Sequence, residues 1–217
     1  MKIEVWSDVA CPWCYIGKRR LAEGVRRYRA AGGEVDVEVE YRSFELSPDL
    51  PADFSGSVID YLSGLRGIPE PQVHEMIANV TALANAEGID ADFHAVQQTR
   101  TLTSHELLHL AKAHGLQEPM KERLLSAYFV EGLHVGDVDT LVDLGVEVGL
   151  AADDIRAALA QGTYAADVQA DIDQARAYGI NGVPFFVIDG RYGISGAQSA
   201  DTFAQALAQA AGDLVAS

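Results

Sequence analysis

The chain has 217 residues, 48% of them hydrophobic, and a formal net charge of −16 at pH 7. This length and composition suffice for one domain with a sizeable core, or for one domain that carries an insertion, and they exclude a largely disordered chain. The acidic balance disfavours nucleic acid and anionic membranes as partners, because like charges repel.

Charged residues interrupt the N-terminus, where a targeting segment would lie. A signal peptide needs an apolar stretch of roughly 7–15 residues after a basic start, and Glu4 and Asp8 break that stretch. No apolar run approaches the roughly 20 residues of a membrane span. We therefore expect a cytoplasmic location.

The chain opens with elements in the order β-α-β. Residues Lys2–Ser7 alternate and end apolar, which is typical of a strand. Pro12 suits the first turn of a following helix, which runs to about Ala31 and ends at two glycines. Residues Val35–Phe44 alternate with period two and predict a second, half-buried strand.

A long helical block follows the loop Ser47–Pro51 and spans more than 100 residues. The predicted helices are Val58–Arg66, Pro71–Glu87, Thr103–His114, Pro119–Glu131, Asp137–Val148, Ala152–Gln161 and Tyr164–Tyr178. Strand character returns at Val183–Ile188 and Tyr192–Ser195, on either side of an Asp-Gly turn that favours a hairpin. Residues Ser199–Ala211 predict a last helix.

The predicted strands lie at both ends of the chain, and each pair is too small to form a stable sheet separately. The simplest arrangement pairs them into one mixed sheet and inserts the helical block between the two halves. We predict an α/β fold with a mixed central sheet. In this fold, residues 1–50 and 178–217 form one discontinuous domain, and residues 51–177 form an inserted helical subdomain.

The only two cysteines lie three positions apart, in Cys11-Pro12-Trp13-Cys14, where the first helix is predicted to start. Unpaired N–H groups and the positive end of the helix dipole stabilise a thiolate there. Such motifs lower a thiol pKa from about 8.5 to roughly 3.5–7.5. We predict that Cys11 is the more exposed and more acidic thiol, that it attacks a substrate disulfide, and that Cys14 resolves the mixed disulfide.

Two other interpretations of the cysteine pair are weaker. A zinc site needs two further ligands, but no other cysteine exists, and His105 and His109 lie about ninety residues away. A purely structural disulfide would close too short a loop to add much stability. Redox chemistry accounts best for this spacing, with no metal and no cofactor beyond the two cysteines.

The cysteine motif and a second motif together resemble a known family. The segment Cys11–Cys14 after a first strand and the segment Gly182–Val187 near the end are similar to the DsbA family of the thioredoxin superfamily, especially its FrnE-like branch. The segments Leu107–Ala111 and Ala127–Gly132 also look like this branch. The resemblance implies a thioredoxin fold with a large inserted helical subdomain, and a cis Pro184 that faces the cysteines.

The resemblance also implies substrate contacts by Pro12, Trp13, Val183 and Pro184, with the Val183 backbone facing an extended substrate segment. The implied activity is thiol–disulfide exchange with protein or peptide disulfides, with glutathione as a candidate co-substrate. Strongly oxidising DsbA enzymes carry a His between their cysteines, and this chain has Pro12-Trp13 instead. Oxidising strength is therefore not carried over.

Two alternatives belong to other functional classes. One is a glutathione-dependent isomerase or transferase of the kappa class or of the 2-hydroxychromene-2-carboxylate isomerase type. Those enzymes share the design but typically lack the full cysteine pair, so Cys14 favours exchange. The other alternative is a non-catalytic binding module, which needs no second thiol.

Several polar residues allow both a structural and a functional interpretation. Asp8 is expected to cap a turn, although it could also tune Cys11. Six cations between Lys18 and Arg29 favour a solvated helix face over attraction of an anionic thiol such as glutathione. The pair His105 and His109 is expected on a helix surface or in packing.

Overall fold

The computed structural model describes residues 1–51, 54 and 56–216. Its strands and α-helices are β1 Lys2–Ser7, α1 Pro12–Ala30, β2 Glu38–Ser43, α2 Glu70–Ala86, α3 Leu102–Ala113, α4 Gln117–Phe129, α5 Val138–Val148, α6 Ala152–Gln161, α7 Ala165–Ala177, β3 Phe185–Ile188, β4 Tyr192–Ser195 and α8 Ala200–Ala216. A π-helical segment, Asp60–Leu65, precedes α2. No helix in the described part of the chain is long and apolar enough to cross a membrane.

The four strands form one mixed sheet in the order β2-β1-β3-β4. Strand β1 pairs in parallel with β2 and antiparallel with β3, and β3 pairs antiparallel with β4. Strands from both ends of the chain therefore share one sheet, and α2 to α7 lie between β2 and β3 in the chain. The predicted α/β architecture with an inserted helical region is confirmed.

Two predicted elements differ from those observed. Strand β2 is shorter than Val35–Phe44, because its register places Glu38 opposite Lys2 and β1 offers no partner strand further back. The predicted helix Val58–Arg66 winds mainly as the π-helical segment Asp60–Leu65. The remaining predicted helices and strands appear with small shifts at their ends, and α8 continues further than predicted.

Helices cover both faces of the sheet because side chains alternate along each strand. Val5 of β1 and Phe186 of β3 share a buried cluster with Leu21 of α1 and Phe203 of α8. Trp6 belongs to a separate buried cluster, which includes part of α7. The first turns of α1, which carry the cysteine motif, share a third buried cluster with the inserted helices.

A buried carboxylate joins the inserted helices to the sheet. Asp171 of α7 accepts hydrogen bonds from the Ser43 N–H at 2.9 Å and the Arg42 guanidinium at 3.0 Å, and its other contact is His109 Nε2 at 3.1 Å. Trp6 donates its indole N–H to the Asp171 carbonyl at 2.9 Å. Burial alone would raise the pKa of the Asp171 carboxyl, but the His109 and Ser43 hydrogen bonds lower it. The insertion is thus fixed to the strands that lead to the cysteines.

Candidate active site

The cysteine pair begins α1, directly after the loop that follows β1. Cys11 is the residue that precedes the first helical turn, and Pro12 starts the helix, where its missing N–H leaves no bond unmade. The Cys14 N–H donates to the Cys11 carbonyl at 3.0 Å, which closes the first turn. Both side chains are free thiols, so the structure represents the reduced pair.

The proline motif lies against the cysteine motif. The Val183–Pro184 peptide bond is cis, as predicted from the resemblance. The Cys11 thiol donates weakly to the Val183 carbonyl, with Sγ and oxygen 3.5 Å apart. The Pro184 carbonyl accepts the Gly196 N–H at 2.8 Å, which holds this loop in place. Folding thus joins two motifs that are 172 positions apart in the chain.

Gly17 of α1 leaves the space that Pro184 occupies. A Cβ atom at Gly17 would lie 2.9 Å from the Pro184 Cγ atom and 3.3 Å from the Phe186 ring. Neither a proline ring nor a buried phenylalanine side chain can move easily in a close-packed interior. The absence of a side chain at Gly17 therefore sets how closely the proline loop approaches the cysteines.

We expect Gly17→Ala to slow disulfide exchange by roughly tenfold, because its methyl group displaces Pro184 and the Val183 carbonyl from Cys11. Helix propensity alone would stabilise the variant by about 1 kcal/mol. The exchange rate and the unfolding midpoint are both measured. Gly212→Ala is the control, since a Cβ atom there meets nothing within 4 Å. An unchanged rate in Gly17→Ala would contradict the steric argument.

The two thiols are equally buried, with exposed fractions of 2% for Cys11 and 3% for Cys14. The prediction that Cys11 is the more exposed thiol is therefore wrong. Its cause is the fold around the helix start, where the Val183 carbonyl contacts Cys11 and α4 brings the Lys121 charge near Cys14. Position along the first turn does not decide exposure here.

The prediction that Cys11 is the more acidic thiol is also wrong for the free reduced pair. Burial raises the pKa of the Cys14 thiol, but the Cys11 hydrogen bond and the Lys121 charge together lower it below its usual value. The hydrogen bond to Cys14 and burial raise the pKa of Cys11 well above its usual value. The pair shares one proton, and the buried cation favours the charge on Cys14.

Lys121 of α4 is a site residue that sequence reasoning missed. Its side chain is fully buried, and Nζ donates to the Ser7 carbonyl at 3.3 Å and lies 5.7 Å from the centre of the Tyr41 ring. Burial lowers the pKa of Lys121, and the neighbouring Cys14 charge acts in the opposite direction. Lys121 lies three positions before Leu124, on the apolar stripe of α4. A lysine on that stripe was the feature of the sequence that could have indicated a buried cation.

Asp8 holds the loop that precedes the cysteine motif. Its carboxylate accepts the Val9 N–H at 2.6 Å and the Leu46 N–H at 2.7 Å, so the expected turn cap is confirmed. His105 Nε2 lies 3.2 Å from the same carboxylate and 3.1 Å from the Phe44 carbonyl. Both neighbours are acceptors, so Nε2 carries the proton. Burial raises the pKa of Asp8, but the hydrogen bonds lower it below its usual value.

The basic face of α1 pairs with carboxylates of the inserted helices. Lys18 Nζ lies 2.6 Å from Glu118 and 2.7 Å from Glu122, and it is only 8% exposed. Arg20 pairs with Glu87 at 2.6 Å. Lys18 and Arg20 therefore join α1 to its neighbours, whereas Arg26 and Arg27 are exposed and pair with Glu23 of the same helix. The first part of this face is therefore occupied by carboxylates, and the expected solvated face describes only the last turns of α1.

A cavity of about 440 Å³ opens beside the cysteine motif. Cys11, Pro12 and Trp13 line it, whereas Cys14 is not part of its described lining. Trp13 is 42% exposed and forms part of the rim. Of the two cysteines, Cys11 is therefore the one that a molecule in the cavity can contact.

Similarity to known proteins agrees with this geometry. The DSBA-like thioredoxin domain family matches residues 2–208. The crystal structure of a probable DsbA oxidoreductase, SCO1869 of Streptomyces coelicolor, superposes with a TM-score of 0.91 at 40% sequence identity. That alignment covers 98% of this chain and 91% of the other.

Two further relatives extend over the same length. The uncharacterized protein YwbO of Bacillus subtilis (strain 168) is 32% identical over 210 residues, which is 94% of either chain. The cytosolic disulfide reductase DsbM of Pseudomonas aeruginosa, solved with GSH, shares the fold with a TM-score of 0.61 at 19% identity, over 100% of this chain and 98% of its own. By the near-complete family match and the 40% identical structure, the chain belongs to the DSBA-like thioredoxin domain family.

Proposed function

We propose that the chain is a thiol–disulfide oxidoreductase whose Cys11–Cys14 pair exchanges with protein or peptide disulfides. The position of the Cys11 sulfur carries this proposal. It lies at the start of α1, in the wall of an open cavity and 3.5 Å from the Val183 carbonyl. The place of Cys11 in the cavity wall therefore assigns the attack on substrate to Cys11, although Cys14 is the more acidic thiol.

The hydrogen bond within the pair reconciles acidity with access. In the free enzyme, the Cys14 thiolate accepts the Cys11 proton in a hydrogen bond, and Lys121 stabilises the charge. Transfer of that proton from Cys11 to Cys14 moves the negative charge to the sulfur at the cavity. The thiolate then forms where a substrate disulfide arrives, because only the thiolate is nucleophilic.

The exchange proceeds in two balanced steps. The Cys11 thiolate attacks one sulfur of the substrate disulfide, forming a mixed disulfide and releasing a substrate thiolate that takes up a proton. Cys14 then loses its proton and attacks the Cys11 sulfur, which closes the Cys11–Cys14 disulfide and releases the second substrate thiol. The substrate gains two electrons and two protons: the pair supplies both electrons and the proton that it shares, and the second proton comes from solution. The reverse reaction oxidises a substrate.

Four further residues are proposed to contact the substrate. Pro12 and Trp13 form the cavity wall next to Cys11. Val183 and Pro184 place a backbone segment against the same sulfur, where an extended substrate strand can lie alongside. This arrangement suits a polypeptide disulfide, since backbone contacts do not depend on the side chains of the substrate.

The proposal is tested by reacting the reduced protein with a peptide disulfide and counting the products. We expect two free peptide thiols per chain and a chain mass that falls by two hydrogens. Protein alkylated at both cysteines is the control and should release none. A wild-type protein that reduces no disulfide but turns over a glutathione-dependent isomerase or transferase substrate would support the alternative function.

The FrnE-like branch and the cytoplasmic location remain predictions. Whether the protein oxidises or reduces its substrates depends on the location. In a reducing cytosol, thiols are kept reduced, which favours a reductase or isomerase. Titration of the Cys11–Cys14 couple against glutathione buffers measures this directly. A potential of about −270 mV would resemble thioredoxin, and one of about −120 mV would resemble a strongly oxidising DsbA.

A further inference from the structure

We propose that the carboxyl end of β1 forms a buried site for the Cys14 thiolate, in which the Ser7 hydroxyl donates a hydrogen bond to that sulfur as it resolves the mixed disulfide. This thiolate site consists of the Ser7 hydroxyl, the Asp8 N–H and the Lys121 ammonium. The inference rests on the proposed exchange reaction and adds a hydrogen-bond donor to its second step.

The alternation of side chains along β1 directs Ser7 toward α1. Ser7 lies on the same face of the strand as Ile3 and Val5, because successive side chains point to opposite faces. Ile3 and Val5 share a buried cluster with Leu21, so α1 covers this face. Ser7 is the last residue of β1, and only residues 8–11 separate it from α1. Its hydroxyl therefore faces the first turn of the helix that carries the cysteines.

The Ser7 hydroxyl is buried without a partner. The residue is 1% exposed, and its Oγ atom has no hydrogen-bond partner of normal geometry among the described residues. Most buried polar groups are paired, as Ser43 is on the neighbouring strand, where its hydroxyl lies 3.1 Å from His109 Nε2. Both cysteines are free thiols in the structure. A thiolate at Cys14 is the acceptor that this donor lacks.

The other members of the thiolate site also favour a negative charge on Cys14. Lys121 is fully buried, and Nζ donates to the Ser7 carbonyl at 3.3 Å, which fixes the cation at the end of β1. Burial raises the pKa of the Cys14 thiol, whereas the Cys11 hydrogen bond and the Lys121 charge lower it. The Ser7 hydroxyl and the Asp8 N–H lower it further.

Other titratable groups near this site already have partners or keep their protons. Those that interact with Cys14 or with Lys121 are Cys11 and Lys18 of α1, Asp8 and Tyr41 of β2. The Asp8 carboxylate accepts two backbone N–H groups and contacts His105. Lys18 pairs with two carboxylates of α4. Burial raises the pKa of Tyr41, so its hydroxyl stays neutral.

The thiolate site matters most after the first step of exchange. In the free reduced pair, Cys14 receives a hydrogen bond from Cys11. Once Cys11 is joined to the substrate, it has no proton to donate, and Cys14 must lose its own proton before it can attack. The Ser7 hydroxyl then replaces the lost donor, and a donor that is already in place lowers the cost of forming the charge. Ser7 therefore acts on resolution and not on the first attack.

We expect Ser7→Ala to raise the pKa of Cys14 in the mixed disulfide by about one unit, because a hydrogen bond to a charged group is lost. A thiolate of higher pKa is scarcer at a given pH but more nucleophilic. Resolution should therefore slow by about threefold below the pKa of Cys14 and become about threefold faster above the raised pKa. Formation of the mixed disulfide should not slow.

The experiment separates the two steps in the full-length protein. Reduced protein is mixed with a peptide disulfide between pH 5 and pH 10 and quenched with acid at successive times. Mass spectrometry then quantifies the reduced chain, the mixed disulfide and the oxidised chain. The rise of the mixed disulfide gives the rate of attack by Cys11, and its decay gives the rate of resolution by Cys14.

Three further variants separate the hydroxyl from packing. Ser7→Thr keeps a hydroxyl, and Ser7→Val has a similar shape without one, so Thr should follow the wild type and Val should follow Ser7→Ala. Ser104→Ala removes another buried hydroxyl, which donates to the Val135 carbonyl in the inserted block. It should lower the unfolding midpoint without moving the pH profile. If Thr and Val do not fold at position 7, Ser7→Ala and Ser104→Ala decide the question.

A pH profile of resolution that is the same in Ser7→Ala and in the wild type would overturn the thiolate site. Equal slowing at every pH would also overturn it, since a packing defect does not reverse its sign above the pKa. A wild-type protein that forms no mixed disulfide and reduces no peptide would instead reject the proposed function, so the two failures are distinguishable.

Discussion

Replacing Cys11 with serine is expected to lower the rate of disulfide exchange at least about a hundredfold, because the sulfur that faces the cavity is removed. Cys14→Ser should leave the attack intact but block resolution. Mixed disulfides with substrate should then accumulate on Cys11 and be detected by mass spectrometry under non-reducing conditions. Peptide disulfide reduction by wild-type protein, measured in parallel, gives the reference rate.

The acidity of Cys14 makes this test sharper. If acidity rather than access selected the nucleophile, the Cys11→Ser variant would retain a reactive Cys14 thiolate and full exchange. That outcome would overturn the assignment of Cys11. In a glutathione transferase, Cys14→Ser should keep most of its turnover. In a binding module, neither substitution should change affinity for a partner.

Lys121→Met is expected to destabilise the Cys14 thiolate and, at the same time, to stabilise the folded chain. The Lys121 charge helps to lower the pKa of Cys14, so its removal should raise that pKa. The reduced pair is then less stabilised, and the equilibrium with a glutathione buffer should move about tenfold toward the disulfide, or about 30 mV toward a more negative potential. Thiolate absorbance against pH and a redox titration measure the two effects.

The same substitution should increase the stability of the folded chain. Burial lowers the pKa of Lys121 below its usual 10.5, so the ammonium is less favourable in the folded than in the unfolded chain. Wild-type stability should rise as pH increases from the lowered pKa to 10.5 and be least favoured below that interval. Lys121→Met should lack this rise and be the more stable protein near neutral pH, because a buried ammonium costs free energy that a methionine side chain does not.

Lys112→Met is the matched control. Lys112 is a half-exposed lysine of α3 whose ammonium pairs with Glu40. Its removal takes away one positive charge without touching the cysteine pair, so the thiolate and the redox equilibrium should stay as in the wild type. A Lys121→Met protein with an unchanged thiolate titration would show that Lys121 has only a packing role.

Local pattern was sufficient for most of the secondary structure. Periodicity located every strand and the helices from α1 to α8, because one face of each element is buried and repeats with the element's own period. It predicted too long a β2. A strand ends where its partner strand ends, and the pairing of Glu38 with Lys2 cannot be read from the residues around Glu38. The joint sheet followed from the small number of strands at each chain end.

Local pattern was weaker for the electrostatics of the site. The helix N-terminus pointed to Cys11 and Cys14 as the candidate pair, but it predicted a difference in exposure that the structure lacks and the opposite order of acidity. That order depends on Lys121, which α4 brings from more than a hundred positions away. The same holds for His105, which appeared only as one of a pair of helical histidines and proves to contact Asp8.

The sequence by itself determined the elements of the candidate site: two cysteines at a helix start, a proline before a returning strand, and the β-α-β and β-β-α segments that must share one sheet. Only the tertiary structure decided which cysteine lines the cavity, where the thiolate charge rests and what else surrounds the cavity. The physical reason is range. Helix and strand periods act over a few residues, whereas burial and charge interactions depend on groups that folding brings from distant segments, such as Lys121, Val183 and the inserted helices.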